Sequence, residues 1–355
     1  MESIKQKVIV LYGGRSAEHE VSVNSAASIM TAIDADRYLP IPVGITKTGR
    51  WVGGIDPREI IATRKTTVPE PAQDEGIGPI ARILSQGDVV FPVMHGPFGE
   101  DGCIQGLLEI VNKPYVGAGV IGSALGMDKI FHKTIYTQRN IPVVDFCWIS
   151  NFDYEQEPAV FHAQVAKALG FPCFVKPANM GSSVGITKVS TESGLARAIE
   201  LSLKYDRKVL VEKGVIAREI ECSVMGNDDP RASLPGEIVP SADFYDYTAK
   251  YEQPSTLHIP AVLTPQQIVQ IQDLAIRAYK AIDCVGLARV DFFLLPSGTI
   301  YVNEINTMPG FTQISMYPKM WAASGLCYTD LITNMISLAF AKYEQKRRIS
   351  VSFRE

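Results

Sequence analysis

Three oxygen-bearing side chains, Asp291, Glu304 and Asn306, are spaced so that one β-hairpin can gather them. The runs RVDFFLL and TIYVNEIN are apolar and are joined by Pro296-Ser297-Gly298, which reads as a hairpin. Alternation puts Glu304 and Asn306 on one face of the second strand, where Asp291 can meet them from the first. Two carboxylates and an amide oxygen are hard ligands, suited to Mg²⁺ or Mn²⁺ ions that also hold substrate phosphates. The alternative is a solvated sheet face, against which the apolar neighbours argue.

A second cluster lies in KPANMGSSVG, residues 176–185, between the apolar strands CFV and ITKV. Its glycines and serines make a turn whose backbone N–H groups can close over phosphate oxygens. No Walker A spacing occurs, and a plain glycine-rich turn is the alternative. Lys176 entering the loop, and a later apolar strand that ends in Glu212 and Lys213, favour a nucleotide. A third stretch, GAGVIG at 117–122, has the spacing of a dinucleotide-binding turn. That reading also needs a preceding strand and an acid about 20 residues on. Pro114 leaves only a short apolar run before the glycines, and Asp145 comes too late. The glycines are expected instead to turn the chain out of a first domain into a helix carrying Met127, Asp128 and Lys129.

The elements that must position these groups follow from periodicity. Residues 7–12 form a buried strand ended by Gly13-Gly14, residues 21–33 are helical, and residues 39–45 and 88–94 supply further strands. Ile104, Leu107, Leu108 and Val111 mark a helix over 103–112 that Pro114 stops. Strands alternating with helices predict an open parallel α/β sheet for residues 1–120, with 66–79 as an exposed insertion. Residues 121–215 form a second unit and 216–355 a third. The third has a helix opened by the capping box Thr264-Pro265-Gln266-Gln267 and another presenting Tyr328, Leu331, Ile332, Met335, Leu338 and Ala339. Residues 233–260 are far longer than an ordinary connection and rich in tyrosine, which predicts an active-site lid, with a mobile surface loop as the alternative.

Composition sets the outer bounds. The chain has 355 residues, 46% hydrophobic and 20% charged, an ordinary globular balance large enough for two or three domains. Lys and Arg number 34 against 38 Asp and Glu, a net charge of −4, so neither nucleic acid nor an anionic membrane is expected as a partner. The N-terminal apolar run is too short for a signal peptide. Six cysteines without C-x-x-C spacing read as reduced thiols of a cytoplasmic protein.

Taken together, the glycine hairpin after V-K-P, the E-K pair ending a strand and the D…E-x-N hairpin resemble the ATP-grasp enzymes. The finer motifs resemble the D-alanine:D-alanine ligase family. They are GGRSAEHEVSVNSA (13–26), HGPFGEDGCIQG (95–106), MDK (127–129), KPANMGSSVGITKV (176–189), FYDYTAKY (244–251) and NEINTMPGFTQISMYP (303–318), in order along essentially the whole chain. The resemblance implies a Rossmann-like N-terminal domain followed by two ATP-grasp domains. It also implies phosphorylation of one D-alanine by ATP, attack on the acyl phosphate by the amine of a second, and a homodimer. It assigns Lys129, Lys176, Ser183 and Lys250 to the phosphates, Glu212, Lys213 and Val215 to adenine, and Glu219 to ribose. Asp291, Glu304 and Asn306 would hold two Mg²⁺ ions. Glu18 would hold the ammonium of the first D-alanine, unless it is only a charge at a helix N-terminus, and His95 would lie nearby, unless it is a structural loop histidine. Ser182 and Tyr251 would join Glu18 in tying down the lid. Arg289 and the Gly310 N–H would stabilise the tetrahedral intermediate, and Ser315 and Met316 would bind the carboxylate of the second D-alanine. Leucine is commoner at the position of Met316, but the implied contact is through the backbone. Relatives that use D-lactate depart from tyrosine at the position of Tyr251, so the resemblance implies D-alanine as acceptor, with a related ligase for D-lactate or D-serine as the alternative. A nucleotide-binding protein without catalysis is the reading from another class.

Overall fold

The structure is a computed structural model and describes residues 4–72, 78–239 and 256–350. The chain runs β1 (Gln6–Gly13), α1 (His19–Ala32), β2 (Tyr38–Ile45), β3 (Trp51–Gly53), α2 (Pro57–Ala62), α3 (Gly78–Leu84), β4 (Val89–Pro92) and α4 (Cys103–Ile110). It continues through α5 (Val120–Met127), α6 (Lys129–Gln138), β5 (Phe146–Ser150), α7 (Asn151–Gln156), α8 (Pro158–Ala168), β6 (Cys173–Pro177), β7 (Thr187–Val189), α9 (Leu195–Ser202) and β8 (Lys208–Lys213). The last part comprises β9 (Arg218–Gly226), β10 (Arg231–Ala232), β11 (Gly236–Val239), β12 (Thr256–His258), α10 (Pro265–Ala281), β13 (Gly286–Leu294), β14 (Ile300–Asn306), α11 (Met316–Ala323) and α12 (Tyr328–Arg347).

Among the described residues these strands form three sheets. The first has the order β3-β2-β1-β4, with β1 parallel to both β2 and β4 and an antiparallel edge at β3. Val8, Ile9, Val10 and Leu11 are buried because both faces of β1 are covered, which explains its unbroken apolar run. The second sheet, β5-β8-β6-β7, is antiparallel throughout. The third, β12-β11-β9-β13-β14 with β10 on β9, is antiparallel and packs its apolar face under α10. The capping box at Thr264 forms as expected, with Pro265 at the first helical position. The first and third units share a core. Leu331, Ile332, Met335 and Ile336 of α12 pack in one cluster with Val8, Val10 and Phe91.

Several expectations need correction. The helix over 21–33 begins earlier, at His19. Residues 66–79 are not wholly an exposed insertion, because Val68 is buried and its N–H donates to His19 Nε2 at 3.0 Å. Met127, Asp128 and Lys129 do not lie on one helix: Asp128 ends α5 and caps α6, accepting from the N–H groups of Ile130 and Phe131. The stretch 233–260 is not loop throughout, since its ends are β11 and β12, paired antiparallel with Glu237 opposite His258. Its middle, with Lys250 and Tyr251, lies outside the described residues.

Candidate active site

The hairpin β13–β14 gathers the expected oxygens. Asp291 pairs with Glu304 and Arg289 with Asn306, while on the other flank Asp291 pairs with Glu221 and Phe293 with Glu219. One face therefore carries Glu219, Glu221, Arg289, Asp291, Glu304 and Asn306. The opposite face sends Ile220, Cys222, Val290 and Phe292 into the core. Strict alternation fails once. The register shifts between Asp291 and Phe292, so Phe292 pairs with Val302 rather than Asn303. This bulge lets Val302 point into the core while Glu304 keeps its place beside Asp291.

The Arg289 guanidinium donates to both oxygens of Asp291, each at 2.7 Å, and its Nε lies 3.2 Å from Glu221 Oε2. A planar fork gripped from two sides cannot swing, so its remaining N–H groups have a fixed aim. Asn306 Oδ1 accepts from the Met308 N–H at 3.0 Å, which turns the chain out of β14.

The second unit brings lysines to this face. Lys129, first in α6, donates to the Met180 carbonyl at 2.8 Å and stands 3.6 Å from Glu304 Oε2. Lys133, one turn on, lies 2.6 Å from Glu212 Oε1, and Lys176 pairs with the other Glu212 oxygen. Burial alone would raise the Glu212 carboxyl, but the two ammonium groups override it and hold it down at about 2. The Glu212 side chain thus fixes lysines, while Lys213 is exposed, 3.7 Å from Asp145, and Val215 follows half-buried beyond the strand end. Lys208 pairs with Asp128 and so ties the α6 cap to β8.

Strands β6 and β7 form the expected hairpin, with Cys173 opposite Val189. At its tip Ser182 and Ser183 both take left-handed backbone, with φ of 52° and 59°. Two adjacent L residues there store strain, on the order of 1 kcal/mol or more each. Ser182 Oγ donates to Glu18 Oε1 at 2.5 Å, so the hairpin reaches the first unit. Glu18 sits at the N-cap of α1 without capping it. A Cβ on Gly96 would stand 2.9 Å from Glu18 Oε2, so glycine there makes room for the carboxylate.

His95 is buried behind Glu18. Its Nδ1 lies 2.9 Å from the Met308 carbonyl and must donate, so Nε2 accepts from the Ser25 hydroxyl at 3.1 Å. Burial pushes its pKa below the ordinary value. Glu100 Oε1 lies 3.9 Å from His95 Nδ1 and accepts from the Gly96 N–H at 2.8 Å. Burial first, and the charge of Glu18 second, push the Glu100 carboxyl up to about 8. Beyond Met308 the chain passes Gly310 and reaches Ser315, the N-cap of α11, with Met316 as its first residue. Ser315 Oγ is 2.7 Å from Thr312 Oγ1, and a Cβ on Gly310 would stand 3.2 Å from Ser315 Oγ.

The structure thus brings Glu18, Ser182, His95, Lys129, Lys176, Glu212, Arg289, Asp291, Glu304 and Asn306 to one region. Lys133, Glu221 and Glu100 were missed. Lys133 follows Lys129 at helical spacing and Glu221 follows Glu219 at strand spacing, so both were open to periodicity. Glu100 lies in HGPFGEDG, but nothing in the sequence shows that its carboxyl is withdrawn from water. The six cysteines are free thiols, and among the described residues no helix is long and apolar enough to cross a membrane.

A parallel α/β unit followed by two units whose sheets present lysines and carboxylates to each other is the arrangement of the ATP-grasp ligases. Family models described as D-ala D-ala ligase N-terminus and C-terminus match residues 7–118 and 135–337. The D-alanine–D-alanine ligase of Natranaerobius thermophilus is 45% identical, covering 99% of each chain. That of a Thermoanaerobacter species is 48% identical over 97% of this chain and 99% of its own. Among solved structures, the D-alanine-D-alanine ligase from Coxiella burnetii superposes with a TM-score of 0.83 at 37% identity, covering 98% of this chain and 97% of that one. The VanG D-Ala:D-Ser ligase from Enterococcus faecalis gives 0.82 at 34% identity, covering 95% and 100%. The chain belongs to the D-alanine–D-alanine ligase family, whose members are ADP-forming ligases.

Proposed function

We propose that this chain joins two D-alanine molecules through a D-alanyl phosphate, with the roles divided among its three units. The observation that carries the reading is the single face on which Arg289, Asp291, Glu304 and Asn306 meet Lys129, with the hairpin tip bonded to Glu18. Glu18 holds the ammonium of the first D-alanine at the mouth of α1, with His95 setting the loop behind it. Lys129, Lys176, Ser183 and, in the lid, Lys250 hold the ATP phosphates. The strand end at Glu212, Lys213 and Val215 borders adenine, and Glu219 reaches ribose.

The first D-alanine's carboxylate oxygen attacks the γ-phosphorus and ADP leaves; the amine of the second then attacks the acyl carbon, loses a proton, and inorganic phosphate leaves. Charge grows on the acyl oxygen in the second step, where the fixed guanidinium of Arg289 and the Gly310 N–H are the donors. Ser315 and Met316 open a helix, and its N-terminal N–H groups suit the carboxylate of the second D-alanine. Ser182 and Tyr251 join Glu18 in closing the lid.

Asp291, Glu304 and Asn306 fit two Mg²⁺ or Mn²⁺ ions, because they are three hard oxygen donors side by side on paired strands. When bound, such ions neutralise phosphate charge. D-Alanine is the acceptor. Support comes from the curated relatives' names and from Tyr251, since the two solved structures differ in acceptor while sharing the fold. The domains are 1–120, 121–215 and 216–355, a division supported by one sheet in each span, with α6 of the second also sending Tyr136 into the core of the third. The chain acts in the cytoplasm as a homodimer through its N-terminal unit, which exposes Leu39, Phe98 and Ile110.

Phosphate release from ATP with D-alanine as the sole amino acid tests the reading. Release that depends on D-alanine, forms the dipeptide and drops by two orders of magnitude or more in Glu304→Gln is expected, given the loss of a phosphate-neutralising ligand. No D-alanine-dependent phosphate would overturn it.

A further inference from the structure

Residues 307–315 connect β14 to α11 and carry both Gly310 and Ser315. The loop is bolted to the first unit at two places. His95 holds the Met308 carbonyl, as described. The second place is a pair of hydroxyls the mechanism does not use. Ser28, on α1 three residues after Ser25, accepts from the Gln313 N–H at 3.1 Å. Tyr328, first in α12, lies 3.2 Å from Ser28 Oγ and donates to the Phe311 carbonyl. The Tyr328 hydroxyl thus places its single proton between the Phe311 carbonyl and Ser28 Oγ, and Ser28 Oγ also accepts from the Gln313 N–H. The Gln313 N–H and the Phe311 carbonyl are in this way joined through two adjacent hydroxyls held on α1 and α12.

The relay clamps an N–H and a carbonyl two residues apart, between Gly310 and Ser315. Phe311 between them is 2% exposed, with ring centroids 5.6 Å from Phe91 and 5.8 Å from Tyr328. The ring packing sets depth, but it leaves rotation about the loop axis open. The relay's directional bonds remove that freedom.

We propose that Ser28 and Tyr328 are positioning residues for the acceptor loop, setting the affinity for the second D-alanine while leaving the first site alone. This rests on the reading of Gly310, Ser315 and Met316 as the acceptor subsite. Because α1 carries Glu18 at one end and Ser28 further along, the relay also holds the acceptor loop to the same helix that holds the donor.

Initial rates over D-alanine, resolved into first-site and second-site Michaelis constants, test the proposal in Tyr328→Phe, Ser28→Ala, Ser28→Thr and Ser315→Ala. Tyr328→Phe and Ser28→Ala are expected to raise the second-site constant about fivefold, the loss of one hydrogen bond, with the first-site constant unchanged. Ser28→Thr, which keeps the hydroxyl, restores it. Tyr328→Phe keeps the ring packing and decides the matter if Ser28→Ala folds poorly. Equal rises in both constants, or no rise in either, overturn the relay. If Ser315→Ala raises the second-site constant and the relay variants do not, only the relay falls. If Ser315→Ala leaves that constant unchanged, the acceptor subsite falls and the relay with it.

Discussion

Glu18 and Glu100 are two carboxylates with opposite environments. Glu18 accepts a hydroxyl at the mouth of α1, whereas Glu100 lies half-buried near it, and desolvation holds its carboxyl protonated up to about pH 8. A carboxyl whose folded pKa lies above its unfolded value contributes stability that is present at low pH and lost as pH rises through the folded value. For Glu100 that window runs from 4.5 to about 8. His95, held neutral by burial, works in the opposite direction below its ordinary value of 6.5, so the two separate above it. Lys342, pushed down to about 7 by burial, works against Glu100 above that value, so the melting temperature of the wild type relative to Glu100→Gln is the quantity that should fall between pH 6.5 and pH 8. Parallel curves for the two proteins would remove Glu100 as the cause. Residue type and spacing singled out Asp291, Glu304 and Lys176 as candidates, and Glu18 entered through the family resemblance. Neither could identify Glu100, because protonation depends on burial.

At the scale of elements, local rules carried well where one segment decides its own shape. Thr264 receives the Gln267 N–H and Gln267 reaches back to the Thr264 N–H, so α10 starts where its four-residue motif says. Thr264→Ala should cost about 1 kcal/mol of stability, seen as a lower urea midpoint with an unchanged slope. D-Alanine-dependent turnover should stay near wild type, since α10 lies behind the sheet and not on its working face. A midpoint unchanged within error would count against the cap. The bulge opposite Asp291 and Phe292 shows the limit of local rules. Both strands read as uninterrupted from their residues, and only pairing reveals where one residue is skipped.

At the scale of the whole molecule, the GAGVIG glycines are explained by contact between units. Gly117 has φ of 100°, and its backbone lies against Gly286, where a Cβ would stand 2.9 Å from Gly117 Cα. Gly122 packs on the backbone of Asp283 and Cys284, and Gly126 on Thr307. Lys342 of α12 closes the junction by donating to the Gly117 carbonyl at 2.8 Å. Gly286 has φ of 76°, so Gly286→Ala adds backbone strain to the clash. It should destabilise the protein by about 2 kcal/mol or more, measured by chemical denaturation. It should also lower turnover, because β13, which carries Arg289 and Asp291, begins there. Wild-type stability would show that the junction tolerates a methyl group.

The sequence by itself determined the main strands and helices of the first sheet, the capped helix α10, the glycine hairpin and the hairpin that carries Asp291 and Glu304, because helix and strand periodicity and turn chemistry act within a few residues. Tertiary structure alone decided which lysine meets which carboxylate, that Glu100 stays protonated, that the glycine motif is a packing seam, and that Ser28 and Tyr328 hold a loop nearly three hundred residues from Ser28. Those outcomes depend on burial and on groups distant in sequence, whose meeting no local pattern encodes.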